Sequence, residues 1–269
     1  MGEISWYYPE TVDEAVSLLS REGIIAHGGG TSILRGSLKR VRGLVELSRL
    51  PLKYHRHHGN TCELGACLSF AEAAEYLSGL DGGGVLVKAL GSAATTPLRN
   101  RITLGGSLAI FPAWSDLMGP LIALGTEVEL AGKSEKRVPV TRYVEDSSLR
   151  RGTLITGIRV RTDSWRFSYH RETRTAADHP AFTLTLLLKE KKNRVEEFRG
   201  VVVGCSGRYQ RLGRLEERLL GQPCGDISPN DVADCVDVSF TGKKFLSPPY
   251  LRHLVQVQVE RGIAELLER

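Results

Sequence analysis

The sequence predicts a mixed α/β fold of α+β class, and three observations carry that prediction. A helical pattern near the N-terminus runs directly into a short apolar strand and a glycine cluster. Alternating segments separated by turn residues fill the middle of the chain. From Ser164 onward an antiparallel strand pattern gives way to helical ones, the order expected of an α+β unit rather than a parallel α/β sheet.

The first helix runs through Pro9 to Leu19, with Thr11 as N-cap, Glu14 at the capping-box position, and Val12, Ala15, Val16 and Leu19 on one face. Gly23 to His27 is a short buried strand that feeds Gly28-Gly29-Gly30-Thr31-Ser32-Ile33-Leu34. Leu44 to Leu47 is a second strand, and Lys53 to His58 and Cys62 to Ala66 flank Gly59-Asn60 as a hairpin. Ser69 and Glu72 open another helix with a capping box. Leu86 to Leu90 is helical, and Thr95 to Ala109 reads as a second small-residue loop. Ser115 and Asp116 start a helix that runs through Leu124 and stops at Gly125. Thr126 to Leu130 and Arg137 to Val140 are strands around Gly132-Lys133, and Leu154 to Arg161 is a further strand.

Near Ser164 the character changes, which separates residues 1–163 from a smaller unit at 164–269. Trp165 to Arg171, Phe182 to Lys189 and Val195 to Gly204 are strands, the last two framing Lys191-Lys192-Asn193. Leu212 to Leu220, Asn230 to Val236 and Tyr250 to Leu267 are helical patterns.

The composition excludes several classes. With 41% hydrophobic and 25% charged residues over 269, the chain is not disordered as a whole. No run of about eighteen apolar residues occurs, and Met1-Gly-Glu-Ile-Ser-Trp-Tyr-Tyr lacks a secretory leader, so the expected location is the cytoplasm with no membrane span. Lys plus Arg exceed Asp plus Glu by 36 to 31; the basic residues are dispersed and aromatics are 7%, which speaks against a nucleic-acid partner. Five cysteines without a C-x-x-C support neither a zinc site nor an iron–sulfur cluster. His55, His57 and His58 sit in a basic stretch without nearby Cys or carboxylate ligands, so no metal site is assigned there.

Glycine is the chemical lead. Gly28 to Ser32 and Thr103 to Ser107 combine glycines, which let backbone N–H groups converge on phosphate oxygens, with hydroxyl donors; each loop read singly is also a plain tight turn. A diphosphate has two phosphates to hold, which suits a pair of such loops. The common nucleotide fingerprints are absent. Gly132-Lys133-Ser134 ends like a Walker A loop, but Glu127 stands where its first glycine belongs, and Ile33 takes the last glycine position of a G-x-G-x-x-G. Neither G-x-S-x-G nor H-E-x-x-H occurs, so hydrolytic chemistry has no anchor and no catalytic acid or base is assigned.

Gly28-Gly29-Gly30-Thr31-Ser32-Ile33-Leu34 resembles the A-G-G-T-[DS]-L-L loop, and Leu98-Arg-Asn-Arg-Ile-Thr-Leu-Gly-Gly-Ser-Leu-Ala the I-R-N-x-A-T-I-G-G-N-L-A segment, of the FAD-binding medium subunits of molybdopterin hydroxylases, the carbon monoxide dehydrogenase and xanthine dehydrogenase type. Tyr8-Pro-Glu-Thr-Val-Asp-Glu-Ala, Ser115 to Leu130 and Pro249-Tyr-Leu-Arg-His-Leu extend the likeness over almost the whole chain. The resemblance implies a vanillyl-alcohol-oxidase-type FAD domain at 1–163, its two subdomains split near 50–60 with FAD between them. A small antiparallel-sheet-plus-helices domain follows at 164–269.

It further implies that Gly28, Gly29, Gly30, Thr31, Ser32 and Ile33, with Thr103, Leu104, Gly105, Gly106 and Ser107, hold the cofactor's pyrophosphate. Asp116 matches an acid that contacts the nucleotide's hydroxyls, or is a helix N-terminal acid stabilised by the macrodipole. His170 stands where relatives often carry a Lys near the flavin ring, or is a simple strand histidine. Ser107 replaces the usual Asn, and Asp178 matches a recurrent acid read as structural. The implied partners are a molybdopterin-containing large subunit and a [2Fe-2S] small subunit, with NAD or another acceptor draining the flavin. The rival readings are a free-standing flavin oxidoreductase and a flavin-less scaffold subunit.

Overall fold

Residues 4–33, 36–133, 136–243 and 246–268 are described in the computed structural model of the chain. Met1 to Glu3 of the N-terminal stretch, Leu34 of the first glycine motif and Ser134 of the Gly132-Lys133-Ser134 segment lie outside the described residues. The chain forms two compact units that interleave in sequence. One comprises Met1–Leu77, Thr95–Phe111 and Leu124–Thr162; the other comprises Ser78–Ala94, Pro112–Ala123 and Asp163–Arg269.

In the first unit, β1 (Ser5–Tyr7), β2 (Ile24–His27) and β3 (Gly43–Glu46) make a parallel three-stranded sheet in the order β1-β3-β2, with α1 (Val12–Leu19) between β1 and β2. Thr11 caps α1 as its sequence predicts: its hydroxyl accepts the Glu14 N–H at 3.1 Å, and the Glu14 carboxylate accepts the Glu10 N–H at 2.9 Å. The buried side of α1, Ala15 and Leu18, packs with Val45, Leu47, Leu50 and Leu52. β4 (His55–His58) and β5 (Thr61–Gly65) form the predicted hairpin, and α2 (Phe70–Ser78) follows.

Next in chain order come α3 (Gly84–Ser92), α4 (Thr96–Arg99), α5 (Leu104–Ile110) and α6 (Met118–Ala123). The stretch from Thr95 to Ala109 is therefore not one loop: α4 and α5 lie inside it. The helix expected from Ser115 begins at Met118, whose N–H bonds to the Ser115 hydroxyl at 3.2 Å. β6 (Glu127–Ala131), β7 (Arg137–Pro139) and β8 (Leu154–Arg161) complete an antiparallel five-stranded sheet, β4-β5-β8-β6-β7, in the first unit, with α7 (Val140–Glu145) between β7 and β8.

The second unit is built on β9 (Arg166–Glu172), β10 (Phe182–Lys191), β11 (Arg194–Cys205) and β12 (Arg208–Arg211), an antiparallel sheet in the order β12-β11-β10-β9. α8 (Gly213–Leu219) and α9 (Pro248–Leu267) cover it. Phe182, Leu184, Leu186 and Leu188 alternate along one face of β10, and Leu251, Val255, Val259, Ile263 and Leu266 recur at helical spacing on α9; together they form one buried cluster. Thr183, Thr185 and Leu187 are buried as well, and α6 packs on β10 and β11, which explains why β10 reads as a continuous apolar run. The Asn230–Val236 pattern forms a 3-10 helix, Pro229–Cys235, instead of an α-helix.

The capping box that opens α2 ties this fold to its sequence. Ser69 N–H donates to Glu72 Oε2 at 3.0 Å, the Glu72 N–H returns to Ser69 Oγ at 3.2 Å, and Lys53 Nζ lies 2.6 Å from the same carboxylate. Desolvation works to raise the Glu72 carboxyl, but Lys53 and Ser69 outweigh it and hold it below its ordinary value. Replacing Ser69 with Ala is expected to cost about 1 kcal/mol in urea-induced unfolding, because the cap acceptor is removed from a buried position.

Candidate functional site

The first glycine loop begins where β2 ends, at His27. Gly30 has φ +73°, a conformation glycine adopts without strain. Gly29 is even more constrained: a Cβ there would stand 1.6 Å from the Arg101 carbonyl oxygen. The contact is reinforced by the Arg101 guanidinium, which donates to the Gly29 carbonyl at 3.0 Å. Gly28 faces Thr103, whose Oγ1 would lie 3.1 Å from a Cβ at that position. The structure thus brings the two predicted loops into contact within one unit. Among the described residues, no backbone N–H of residues 28–32 donates to a protein acceptor.

The second loop differs. Its backbone N–H groups are already used: Leu104 donates to the Leu68 carbonyl at 2.9 Å, Gly105 to Ala66 at 2.8 Å, Gly106 to Thr103 Oγ1 at 3.1 Å and Ser107 to the Thr103 carbonyl at 2.9 Å. The backbone nest expected at Thr103 to Ser107 is therefore not formed. The first turn of α5 docks on residues 66–69 instead, and Gly105 serves that docking, since a Cβ there would lie 2.8 Å from Ala66 Cβ. What this loop can offer an anion is hydroxyl groups, those of Thr103 and Ser107.

Ala26, Gly28, Cys67, Thr103, Gly105 and Gly106 line a cavity of about 150 Å³ beside the two loops. Burial, helped by the Glu46 carboxylate, pushes the Cys67 thiol up to about 11, so at neutral pH it is a protonated, weakly nucleophilic wall group. Free N–H groups on one loop, hydroxyls on both and the absence of Cβ atoms at the closest approach fit a diphosphate.

In the second unit, Asp116 is 9% exposed, and its Oδ1 accepts from the Tyr169 hydroxyl at 2.9 Å and from Arg171 Nε. Burial pushes the Asp116 carboxyl up, and the Arg171 guanidinium and Tyr169 hydroxyl pull against it. Arg171 also donates to the Ala176 and Asp178 carbonyls, each at 3.1 Å, so Asp178 is engaged through its backbone. His170, next along β9, has Nε2 3.0 Å from Glu172 Oε2. On β4, His55 stacks on Tyr76 and His57 bonds Thr162 Oγ1 at 3.2 Å; among the described residues no cluster of His, Cys, Asp and Glu suited to a metal ion occurs.

Sequence reading missed Arg101, Tyr169, Arg171 and the His27–Glu46 pair. Arg101 stands inside the quoted second motif, and its charge was the available signal. The partners of Asp116 lie 53 and 55 residues away, and only folding reveals them.

Residues 2–161 match the family model for the FAD binding domain in molybdopterin dehydrogenase. The chain belongs to this family. It is a FAD-binding medium subunit of the molybdopterin hydroxylases, an oxidoreductase subunit whose cofactor is FAD. Over its length it is 22% identical to the glyceraldehyde dehydrogenase medium chain of Sulfolobus acidocaldarius, covering 98% of each chain. It is 26% identical to the nicotine 6-hydroxylase medium subunit of Paenarthrobacter nicotinovorans, covering 97% of this chain and 96% of that one. Among solved structures, a carbon monoxide dehydrogenase chain from Hydrogenophaga pseudoflava superposes with a TM-score of 0.90 at 20% identity, covering 98% of this chain and 97% of that one. A quinoline 2-oxidoreductase chain from Pseudomonas putida 86 gives 0.89 at 18% identity, with 99% and 97% covered.

Asp116→Ala leaves a buried guanidinium without its carboxylate and is expected to destabilise the second unit by about 3–5 kcal/mol in denaturant unfolding, with Asp116→Asn costing less.

Proposed function

We propose that this medium subunit relays electrons in a complex with a molybdopterin-containing large subunit and a [2Fe-2S] small subunit, passing them to NAD or another acceptor in the cytoplasm. The names of the curated relatives support such an assembly. Bound FAD supplies the exchange between single electrons arriving from the clusters and pairs leaving to the acceptor. The chain's own residues position the cofactor and set the electrostatics around it. The reading needs no general acid or base from this chain.

The observation that carries the cofactor assignment is the Gly29–Arg101 close approach, which leaves the N–H groups of residues 28–32 unspent beside the Thr103 hydroxyl. In this reading those N–H groups, with the hydroxyls of Thr31, Ser32, Thr103 and Ser107, hold the diphosphate, while Ile33, Leu104, Gly105 and Gly106 shape the wall. Asp116 takes the nucleotide's hydroxyls and His170 lies near the flavin ring.

The reading also takes residues 1–163 as a vanillyl-alcohol-oxidase-type domain divided near 50–60, followed by a domain at 164–269. The change from a parallel sheet ending at Glu46 to an antiparallel one starting at His55 supports that division.

The purified full chain, reconstituted with FAD, is expected to show the visible bands of oxidised flavin at one FAD per chain. Gly29→Ala is expected to lower FAD affinity by at least about ten-fold, since its Cβ cannot coexist with the Arg101 carbonyl. A colourless chain that takes up no FAD would sink the assignment.

A further inference from the structure

His27 is the last residue of β2 and sits directly under the first glycine loop. Its Nδ1 lies 2.7 Å from Glu46 Oε2 on the neighbouring strand β3, where register places Glu46 opposite it. Glu46 is itself held, its Oε1 accepting the Ser48 N–H at 3.0 Å. The Trp6 ring packs edge-on against the imidazole with centroids 5.0 Å apart. The ring is therefore fixed from two sides, and its Nε2 points to the loop: a Cβ on Gly30 would lie 2.7 Å from that nitrogen. Among the described residues Nε2 has no hydrogen-bond partner.

An imidazole whose Nδ1–H is given to a carboxylate has two forms. The neutral ring presents a lone pair at Nε2, which repels a phosphate oxygen; the cation presents an N–H, which binds one. We infer that His27, oriented by Glu46, is a further cofactor-binding residue that takes up a proton when the loop receives the FAD diphosphate, so that cofactor affinity depends on pH. This rests on the diphosphate assignment above.

The other titratable and charged groups facing this cluster do not duplicate that role. Glu46 accepts from the ring, Cys67 stands beside Glu46 as a protonated thiol, and Arg101 is occupied by the Gly29 carbonyl. α1 turns the apolar Ala15 and Leu18 to the sheet, and Arg49 lies over Tyr8, one ring beyond Trp6.

The test is FAD titration of the apo full chain between about pH 5 and pH 8, the range in which histidine changes charge, with calorimetry in two buffers of different ionisation enthalpy to count protons. Wild type is expected to take up about half a proton per FAD at the pH of greatest uptake and to lose affinity by about five- to ten-fold in all as pH rises. His27→Gln is expected to bind about five- to ten-fold more weakly at the acid end, to match wild type at the alkaline end, and to take up no proton. Riboflavin, which lacks the diphosphate, is expected to show no such pH dependence with either protein. Proton uptake that is absent in wild type, or that persists in His27→Gln, overturns the inference while leaving FAD binding intact. A chain that binds no FAD at any pH overturns the diphosphate assignment and this inference with it.

Discussion

The first glycine loop depends on one contact, the seating of the Gly29 backbone on the Arg101 carbonyl. A side chain at residue 29 is sterically impossible there, and the Arg101 guanidinium closes the arrangement by binding the Gly29 carbonyl. Two segments 72 residues apart are held as one surface by a missing Cβ and one charged hydrogen bond. The Gly29 carbonyl is engaged by that guanidinium, and among the described residues the N–H groups of residues 28–32 have no protein acceptor, which leaves donors of the kind an anion requires.

The two glycine motifs look alike in sequence and do different work. In the first, glycines free the backbone to present donors. In the second, Gly105 allows α5 to press against Ala66, and the N–H groups of residues 104–107 are spent securing that helix. The unspent N–H donors are thus concentrated on one loop, and the other serves as its anchor and carries hydroxyls.

Much of this was legible in the sequence where the cause is local. The caps at Thr11 and Ser69, the hairpin around Gly59-Asn60 and the apolar run of β10 follow from turn chemistry and periodicity, and the structure repeats them. β1 was not legible, being three residues long and exposed along most of its length, so its identity comes only from pairing with β3. The short α4 and α5 were hidden because glycine and proline usually signal loops, yet Thr103 supplies a cap that lets Leu104–Ile110 close. The assignment of Ser78–Ala94 and Pro112–Ala123 to the second unit was invisible for a different reason: those segments are placed by packing on β9, β10 and β11, and no local pattern encodes that.

The same distinction governs the charged groups. Asp116 was visible as an acid near a helix start, but its behaviour is decided by Tyr169 and Arg171, which occupy its carboxylate and raise the cost of removing it. His27 is the opposite case: its partner fixes one ring nitrogen and leaves the other facing the loop. Asp116 spends Oδ1 on Tyr169 and Arg171 and keeps Oδ2, 3.5 Å from Arg171 Nη2, as the less engaged oxygen, whereas an imidazole bound at one nitrogen keeps its other nitrogen open. It is therefore the half-satisfied histidine whose unbound nitrogen faces the first glycine loop, while the aspartate is positioned by its own partners within the second unit.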